Sequence, residues 1–393
     1  MSGLRGRSAP IPARRDDGEI TGTAMIDLPG FGRPLFERLL AEGRLRMSRS
    51  PLFDTPAPHK GRAIDPGRVR GMMLGLAIGD ALGNTSEGLN PAERRRRHRE
   101  VRDFLPNMCA GGRPVGLPSD DTQLAFWTLE LLLENEGRLS PERLARKFVD
   151  RQIFGMGQTV GSFRRAHSSG TPWYDAGVES AGNGALMRIA PVLFPHLEDG
   201  GPDLWVDAVL CGAITHNDRG SIAACVAFTN MLSALLIAQS PPPPTWWIDE
   251  YVRVAEPIEH GARYRPRGGN FRRFEGTISA FVAQHVRSAL QSEGNLVSWC
   301  NSWHSGAFLL ETVPCVLLTL ARYGGDPEAA IIRAVNDTRD NDTVGAIVGA
   351  AVGALQGEKA LPARWREGLL GRTGTDDDGH VQTLLDSAVE RFI

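Results

Sequence analysis

Cysteine is scarce in this chain and never paired: Cys109, Cys211, Cys225, Cys300 and Cys315 are widely spaced, form no CxxC, and sit mostly among apolar residues. That excludes a thiolate zinc site or dithiol redox motif and reads as buried free thiols of a reducing compartment. No run of about 18 consecutive apolar residues occurs, so no membrane-spanning helix is expected. The first twenty residues carry arginines with no apolar stretch behind them, which argues against a secretory leader and for a cytoplasmic protein. Neither charge dominates, since 44 Lys+Arg against 46 Asp+Glu leave a net charge of −2. There is no global basic field, so nucleic acid is an unexpected partner. Alternating apolar and polar stretches of β type are few and short.

What is present is a 393-residue chain of ordinary globular composition, 41% hydrophobic and 23% charged, long enough for one large core or two domains. Residues 1–67 differ from the rest, being rich in Arg, Pro and Ser around one amphipathic stretch, Pro34 to Glu42, with Leu35, Phe36, Leu39 and Leu40 on one face. They read as an N-terminal extension, either docking its helix on the main body or reaching for a partner. From Arg68 to the end the pattern is helical, as in Leu124–Leu133, Ser221–Ala238, Ala307–Leu320 and Val344–Leu355. The expected fold is all-α: a compact multi-helix body over 68–393 behind the extension. Ser240–Thr245 with its four prolines reads as a loop, and Arg263–Gly276 as a long connection.

Two helices share a spacing that needs a reason. Gly71, Gly75, Gly79 and Gly83 recur every fourth residue, and so do Gly345, Gly349, Gly353 and Gly357. Each interior glycine costs about 1 kcal/mol relative to alanine. Evenly spaced small residues let helix backbones approach closely, so both helices are expected deep in the core, near each other.

Polar residues gather at helix starts. Ser119-Asp120-Asp121-Thr122 and Asp340-Asn341-Asp342-Thr343 each precede an apolar helix. Carboxylates there complement the helix dipole and serve as caps. Two such clusters, both ending in Asp-Thr, also supply the oxygen ligands that hard divalent cations prefer. Asp376-Asp377-Asp378, between glycines, reads as a solvated turn.

Gly79-Asp80-Ala81-Leu82-Gly83 with Glu87, then Ser119 to Thr122, Gly182-Asn183-Gly184-Ala185-Leu186-Met187-Arg188, Thr215-His216-Asn217-Asp218, and Asp340 to Thr343 resemble, in order, the motifs of the ADP-ribosylglycohydrolase family. The resemblance spans about Arg68 to Ala360 and implies an all-α hydrolase that uses two divalent cations, Mg²⁺ or Mn²⁺, to release ADP-ribose from a side chain, often arginine. It implies metal ligation by Ser119, Asp120, Asp121, Asp340, Asp342 and Thr343. Substrate contacts would come from Asp80, Gly182, Asn183, Gly184, Ala185, His216 and Asn217, with Glu87, Asp120 and Asp121 as candidate bases. Where some relatives carry an acidic residue before a Gly-x-Thr segment, this chain has Gly155-Met156-Gly157-Gln158-Thr159, which leaves the base open.

Two further readings compete. One is an immunity-type protein that blocks an ADP-ribosyltransferase toxin through residues 1–67, with Phe31, Leu35, Phe36 and Leu39 as anchors. The other is a pseudoenzyme, which the four intact aspartates disfavour. Trp173, Tyr174 and Trp303 are expected to be exposed and to select the acceptor.

Overall fold

The computed structural model describes residues 30–375 and 377–393. Helices α1 (Gly32–Ala41), α2 (Pro66–Gly83), α3 (Pro91–His98) and α4 (Asp120–Glu134) open the chain, and the longer helices that follow include Arg219–Leu235, Pro244–Ile258, Leu309–Tyr323, Pro327–Asp337 and Asn341–Gln356. Extended pairing is confined to isolated bridges among the described residues. The all-α expectation holds, and no described helix is long and apolar enough to cross a membrane.

The glycine stripes explain the centre of the molecule. A Cβ added to Gly75 would overlap the Gly349 carbonyl, one on Gly79 that of Gly345, and one on Gly71 the backbone at Gly353. The Asn341–Gln356 helix therefore lies on α2 backbone to backbone, and nearly every residue of both is buried. Close contact along their whole length offsets the poor helix propensity of glycine. The register also brings the end of α2 to the start of its partner. A Cβ on Gly83 would stand 2.4 Å from the Asp342 backbone, and Asn341 Nδ2 donates to the Gly83 carbonyl at 2.9 Å.

The described part of the extension belongs to the same core. Leu35, Phe36 and Leu39 are buried, with the Phe36 and Phe53 rings 5.2 Å apart, and α1 lies on the Asp203–Ala213 helix. Arg33 fixes it by donating to Asp203 Oδ1 at 2.7 Å and to the Phe53 carbonyl at 2.9 Å. The expected anchors for a foreign cleft are thus spent on the chain's own body, which corrects the partner-arm reading for those three residues; Phe31 alone of the four is exposed. The part of the extension in residues 1–29 lies outside the described residues.

Three smaller expectations change. Trp173 and Trp303 are buried because their indoles complete the core, and Tyr174 is half-buried against it. Cys211, Cys225, Cys300 and Cys315 are buried free thiols as expected, but Cys109 is exposed. In the acidic run, Asp377 accepts from Thr373 N, Gly374 N and the Thr373 hydroxyl, so it closes a turn and is not merely solvated. Asp376 lies outside the described residues.

Candidate active site

The start of α4 is capped from another helix. Ser119, its N-cap residue, makes no side-chain cap of its own. Instead the fully buried Asp80 of α2 accepts from Ser119 N at 2.9 Å, Thr122 N at 3.1 Å, Ser119 Oγ at 2.5 Å and Thr122 Oγ1 at 2.6 Å. Asn84 Nδ2 adds a further bond at 3.0 Å. A carboxylate at a helix N-terminus satisfies orphan N–H groups and complements the dipole. Asp80 thereby fixes the direction in which Asp120 and Asp121 leave α4.

The second pair is held as firmly. Asp340 N donates to the Ser305 carbonyl at 3.0 Å, and Asn183 Nδ2 donates to Asp340 Oδ2 at 2.5 Å. Buried Arg94 donates to the Thr338 carbonyl at 2.7 Å, the Leu89 carbonyl at 2.9 Å and Ser86 Oγ at 2.9 Å. One guanidinium thus ties the turn that carries Glu87 to the segment that carries Asp340. Ligand oxygens of Glu87, Asp340 and Asp342 lie within 4.8 Å of one another.

These groups meet in a cleft of about 360 Å³ lined by Glu87, Asp120, Asp121, Asp340, Asp342 and Thr343 on one side and by Gly182, Asn183, Gly184 and His216 on another. Burial pushes the Asp120 and Asp121 carboxyls well above the ordinary range, and Asp80 next to both adds to it. Asp342 is raised likewise, by burial and then by Asp340, while burial carries Asp340 up to about 7. So many mutually repelling carboxylates call for positive charge. Asp121 Oδ1 is buried with no hydrogen-bond partner, and every candidate donor is oxygen. This donor set fits hard divalent cations.

His216 faces the carboxylates across the cleft. Arg188 Nη2 donates to Thr215 Oγ1 at 2.9 Å, which leaves the threonine proton for His216 Nδ1, also at 2.9 Å. With the threonine proton on Nδ1, the ring proton sits on Nε2. Burial, with Arg188 assisting, lowers the imidazole pKa to about 3, so it is neutral. Nε2 would stand 3.1 Å from a Cβ on Gly182, and Cε1 2.9 Å from one on Gly184, so both positions need glycine for the ring to reach the cleft.

Several expected site residues stand elsewhere. Asp80 has no surface on the cleft and acts through α4. Ser119 lies behind Asp120 with its hydroxyl directed at Asp80, and Ala185 is fully buried beyond the glycine loop. Asn217 is turned away entirely. It donates to the Arg44 carbonyl at 2.6 Å and accepts from Arg46 N at 3.0 Å, and so clamps the extension to the body. Its amide is saturated by backbone, which corrects the expected substrate contact.

The cleft also contains residues that were not among the expected site residues, namely Gln158, Thr159, Ser180, Met187, Arg267 and Phe308. Gly155, with φ +83°, brings the departing loop against Asp120, where a Cβ would lie 3.0 Å from Oδ1. No carboxylate comes from that loop; those on the cleft wall are Glu87, Asp120, Asp121, Asp340 and Asp342 among the described residues.

Comparison with known proteins agrees with this architecture. The chain is 26% identical to the ADP-ribosyl-[dinitrogen reductase] glycohydrolase of Rhodospirillum rubrum over 307 residues, covering 76% of this chain and 88% of the relative. It is 25% identical to the ADP-ribosylarginine hydrolase Tri1 of Pseudomonas putida strain GB-1 over 353 residues, 84% of this chain and 79% of the relative. A solved structure described as an ADP-ribosylglycohydrolase-related protein complex superposes with a TM-score of 0.60 at 26% identity, over 83% of this chain and 97% of that one. The ADP-ribosylglycohydrolase family model matches residues 62–392, taking in both glycine helices, both aspartate pairs and the loops that face them. With that match spanning nearly the whole described body, the chain belongs to the ADP-ribosylglycohydrolase family.

Proposed function

We propose that the protein is an N-glycosyl hydrolase that releases ADP-ribose from modified arginine side chains of a protein, with two divalent cations, Mg²⁺ or Mn²⁺, in the carboxylate cleft. The observation that carries this reading is the convergence of Glu87, Asp120, Asp121, Asp340 and Asp342 on one cleft, with a buried, unpartnered oxygen on Asp121. A protein that only bound a partner would have no use for so costly a cluster. The arginine linkage is supported by the Pseudomonas relative, whose name specifies ADP-ribosylarginine. Four buried free thiols suit a reducing, cytoplasmic setting.

Asp120, Asp121, Asp340, Asp342 and Thr343 would hold the cations, with Ser119 behind them. Bound there, the cations supply charge neutralisation and oxygen coordination for the ribose hydroxyls. The protein's own groups do the rest. His216 offers a neutral N–H toward the substrate's oxygens, and the Gly182–Gly184 loop admits them close to the backbone. Glu87 is the most exposed of the cleft carboxylates, so it meets water directly. It takes a proton as the water oxygen bonds to the anomeric carbon; the carbon–nitrogen bond to the guanidine breaks, and the leaving nitrogen takes up a proton. Nearby carboxylates favour the developing oxocarbenium charge.

Glu87→Gln tests the assignment of the base. Turnover of ADP-ribosylated arginine is expected to fall about 10²- to 10⁴-fold while ADP-ribose still binds. Unchanged turnover would remove Glu87 from this role and move it to Asp120 or Asp121.

A further inference from the structure

We infer that Arg267 is a fixed anion receptor on the cleft wall, one that binds the diphosphate of the substrate and so selects a nucleoside-diphosphate ribosyl group over a bare riboside. This rests on the reading of the cleft given above and names what recognises the phosphate half of the substrate.

Among the described residues that line the cleft, Arg267 is the one permanent cation beside five carboxylates. Phosphates entering such a cleft meet a repulsive field unless a positive group is fixed where they lie. His216 cannot be that group, because its imidazole is neutral.

Arg267 is also built as a receptor. One edge of its guanidinium is committed, with Nε donating to Glu311 Oε1 at 3.3 Å and Nη2 to Glu311 Oε2 at 3.1 Å. Glu311 is fully buried, whereas the Arg267 side chain is 56% exposed. Its Cζ lies over the Phe308 ring, 4.8 Å from the centroid. A long side chain that would otherwise sample many rotamers is thereby held in one place, and Nη1 is left with no hydrogen-bond partner among the described residues. Planar guanidinium donors fixed in this way match phosphate oxygens well.

The loop that carries Arg267 is pinned as well. Gly269 has φ +73°, and a Cβ there would overlap the Ser302 carbonyl, to which Asn270 N donates at 2.7 Å. Gly268 lies flat against His304, with a Cβ position 2.5 Å from the ring. Tyr264 and Gly276 close the neck of the loop with paired backbone bonds of 2.8 and 3.2 Å. Phe308 in turn bridges to Gly182, so the guanidinium stands beside the glycine loop, near enough to Asp340 to act on its carboxyl. Were the ion pair only structural, nothing would require its cationic end to face the cleft with free donors.

The experiment is calorimetric titration of the Mg²⁺-loaded full-length protein with ADP-ribose, at low and at high salt, using wild type, Arg267→Lys and the double variant Arg267→Gln/Glu311→Gln. The double change removes the cation without stranding a buried carboxylate, and melting temperatures check that both variants are folded. Should the double variant not fold, Arg267→Lys, which keeps the charge but loses the planar fork, carries the comparison. The expected result is an affinity about 10- to 100-fold weaker in the double variant, with a shallower salt dependence, and a smaller loss for lysine. In turnover of ADP-ribosylated arginine the loss is expected in KM, with kcat nearly unchanged. Wild-type binding with an undiminished, equally salt-dependent affinity in both variants overturns the inference alone and leaves Arg267 an anchor for Glu311. Failure of the wild type itself to bind ADP-ribose overturns the hydrolase reading, and this inference with it.

Discussion

A carboxylate oxygen of Asp121 lies buried without a partner, while burial first, and then Asp80, Asp342, Asp120 and Asp340, act to hold its proton on. Such a group destabilises the metal-free fold, where only a proton offsets its charge, and a bound cation relieves it. Asp121→Asn takes one charge out of that cluster and is therefore expected to raise the melting temperature in EDTA. The same variant should lose most of the stabilisation that Mg²⁺ gives wild type, which at a hundredfold excess over Kd is about 2.7 kcal/mol. Scanning calorimetry with and without Mg²⁺ reads both; a variant less stable in EDTA and still stabilised by Mg²⁺ contradicts the role given to Asp121. The paired aspartates were legible in the sequence because the residues concerned are adjacent and stand before apolar helices. Asp80 was legible as a site residue but not in its role, since the groups it caps lie 39 and 42 positions along the chain. Arg94 was invisible within a run of arginines: periodicity alone does not say which one turns inward. Arg267 was hidden for another reason, because its partner Glu311 lies 44 residues away and only the folded loop aligns them.

The element on which the site depends most is the pair of glycine helices. Gly349→Ala places a methyl group inside the Gly75 backbone, and neither backbone has a rotamer that could yield. At an exposed helical site the same change would stabilise by about 1 kcal/mol. Here overpacking is expected to cost about 3 kcal/mol or more and to splay the ends that carry Asp80 and Asp342. Urea unfolding measures the first effect and Mg²⁺ affinity the second; a variant as stable as wild type would contradict the packing. The spacing of the glycines made this contact readable in advance, because a four-residue repeat of the smallest side chain has few other uses in a helix. A second helix is capped from a distance, and that was not readable. Buried Glu259 accepts from Ile278 N at 3.0 Å and Ser279 N at 2.6 Å, and burial pushes its carboxyl up to about 7 from 4.5. An acid raised on folding contributes stability that is complete below its unfolded pKa and is lost as pH rises through the folded value. Stability is thus expected to fall by up to about 3 kcal/mol between pH about 4.5 and about 7 on this account, and Glu259→Gln to flatten that slope. Equal slopes for both proteins in pH-dependent unfolding would remove Glu259 as the cause.

At the scale of the whole molecule, the described part of the extension and the body share one apolar core, although their compositions differ sharply. Composition separated residues 1–67 because Arg, Pro and Ser dominate there, but three apolar side chains on one face of α1 suffice to dock it. Burial of Leu35, Phe36 and Leu39 contributes about 1.5–3 kcal/mol each, which outweighs the disorder that composition favours. Past α1 the chain runs along the body, where Asn217, next to His216 in sequence, grips the backbone of Arg44 and Arg46. A motif residue read as a substrate contact thus serves to seat the extension. The helical fold and the two aspartate clusters followed from periodicity and adjacency; the division of labour around them depended on contacts between distant segments.

Whether this cleft uses divalent cations to release ADP-ribose is tested by measuring release from an arginine-ADP-ribosylated protein with Mg²⁺ or Mn²⁺ and after EDTA, comparing wild type with Asp120→Ala and Asp342→Ala. Release by wild type is expected to stop in EDTA, to return on adding metal, and to fall by at least about 10²-fold in both variants. Release that persists in EDTA, or that survives loss of Asp342, would contradict that use of cations.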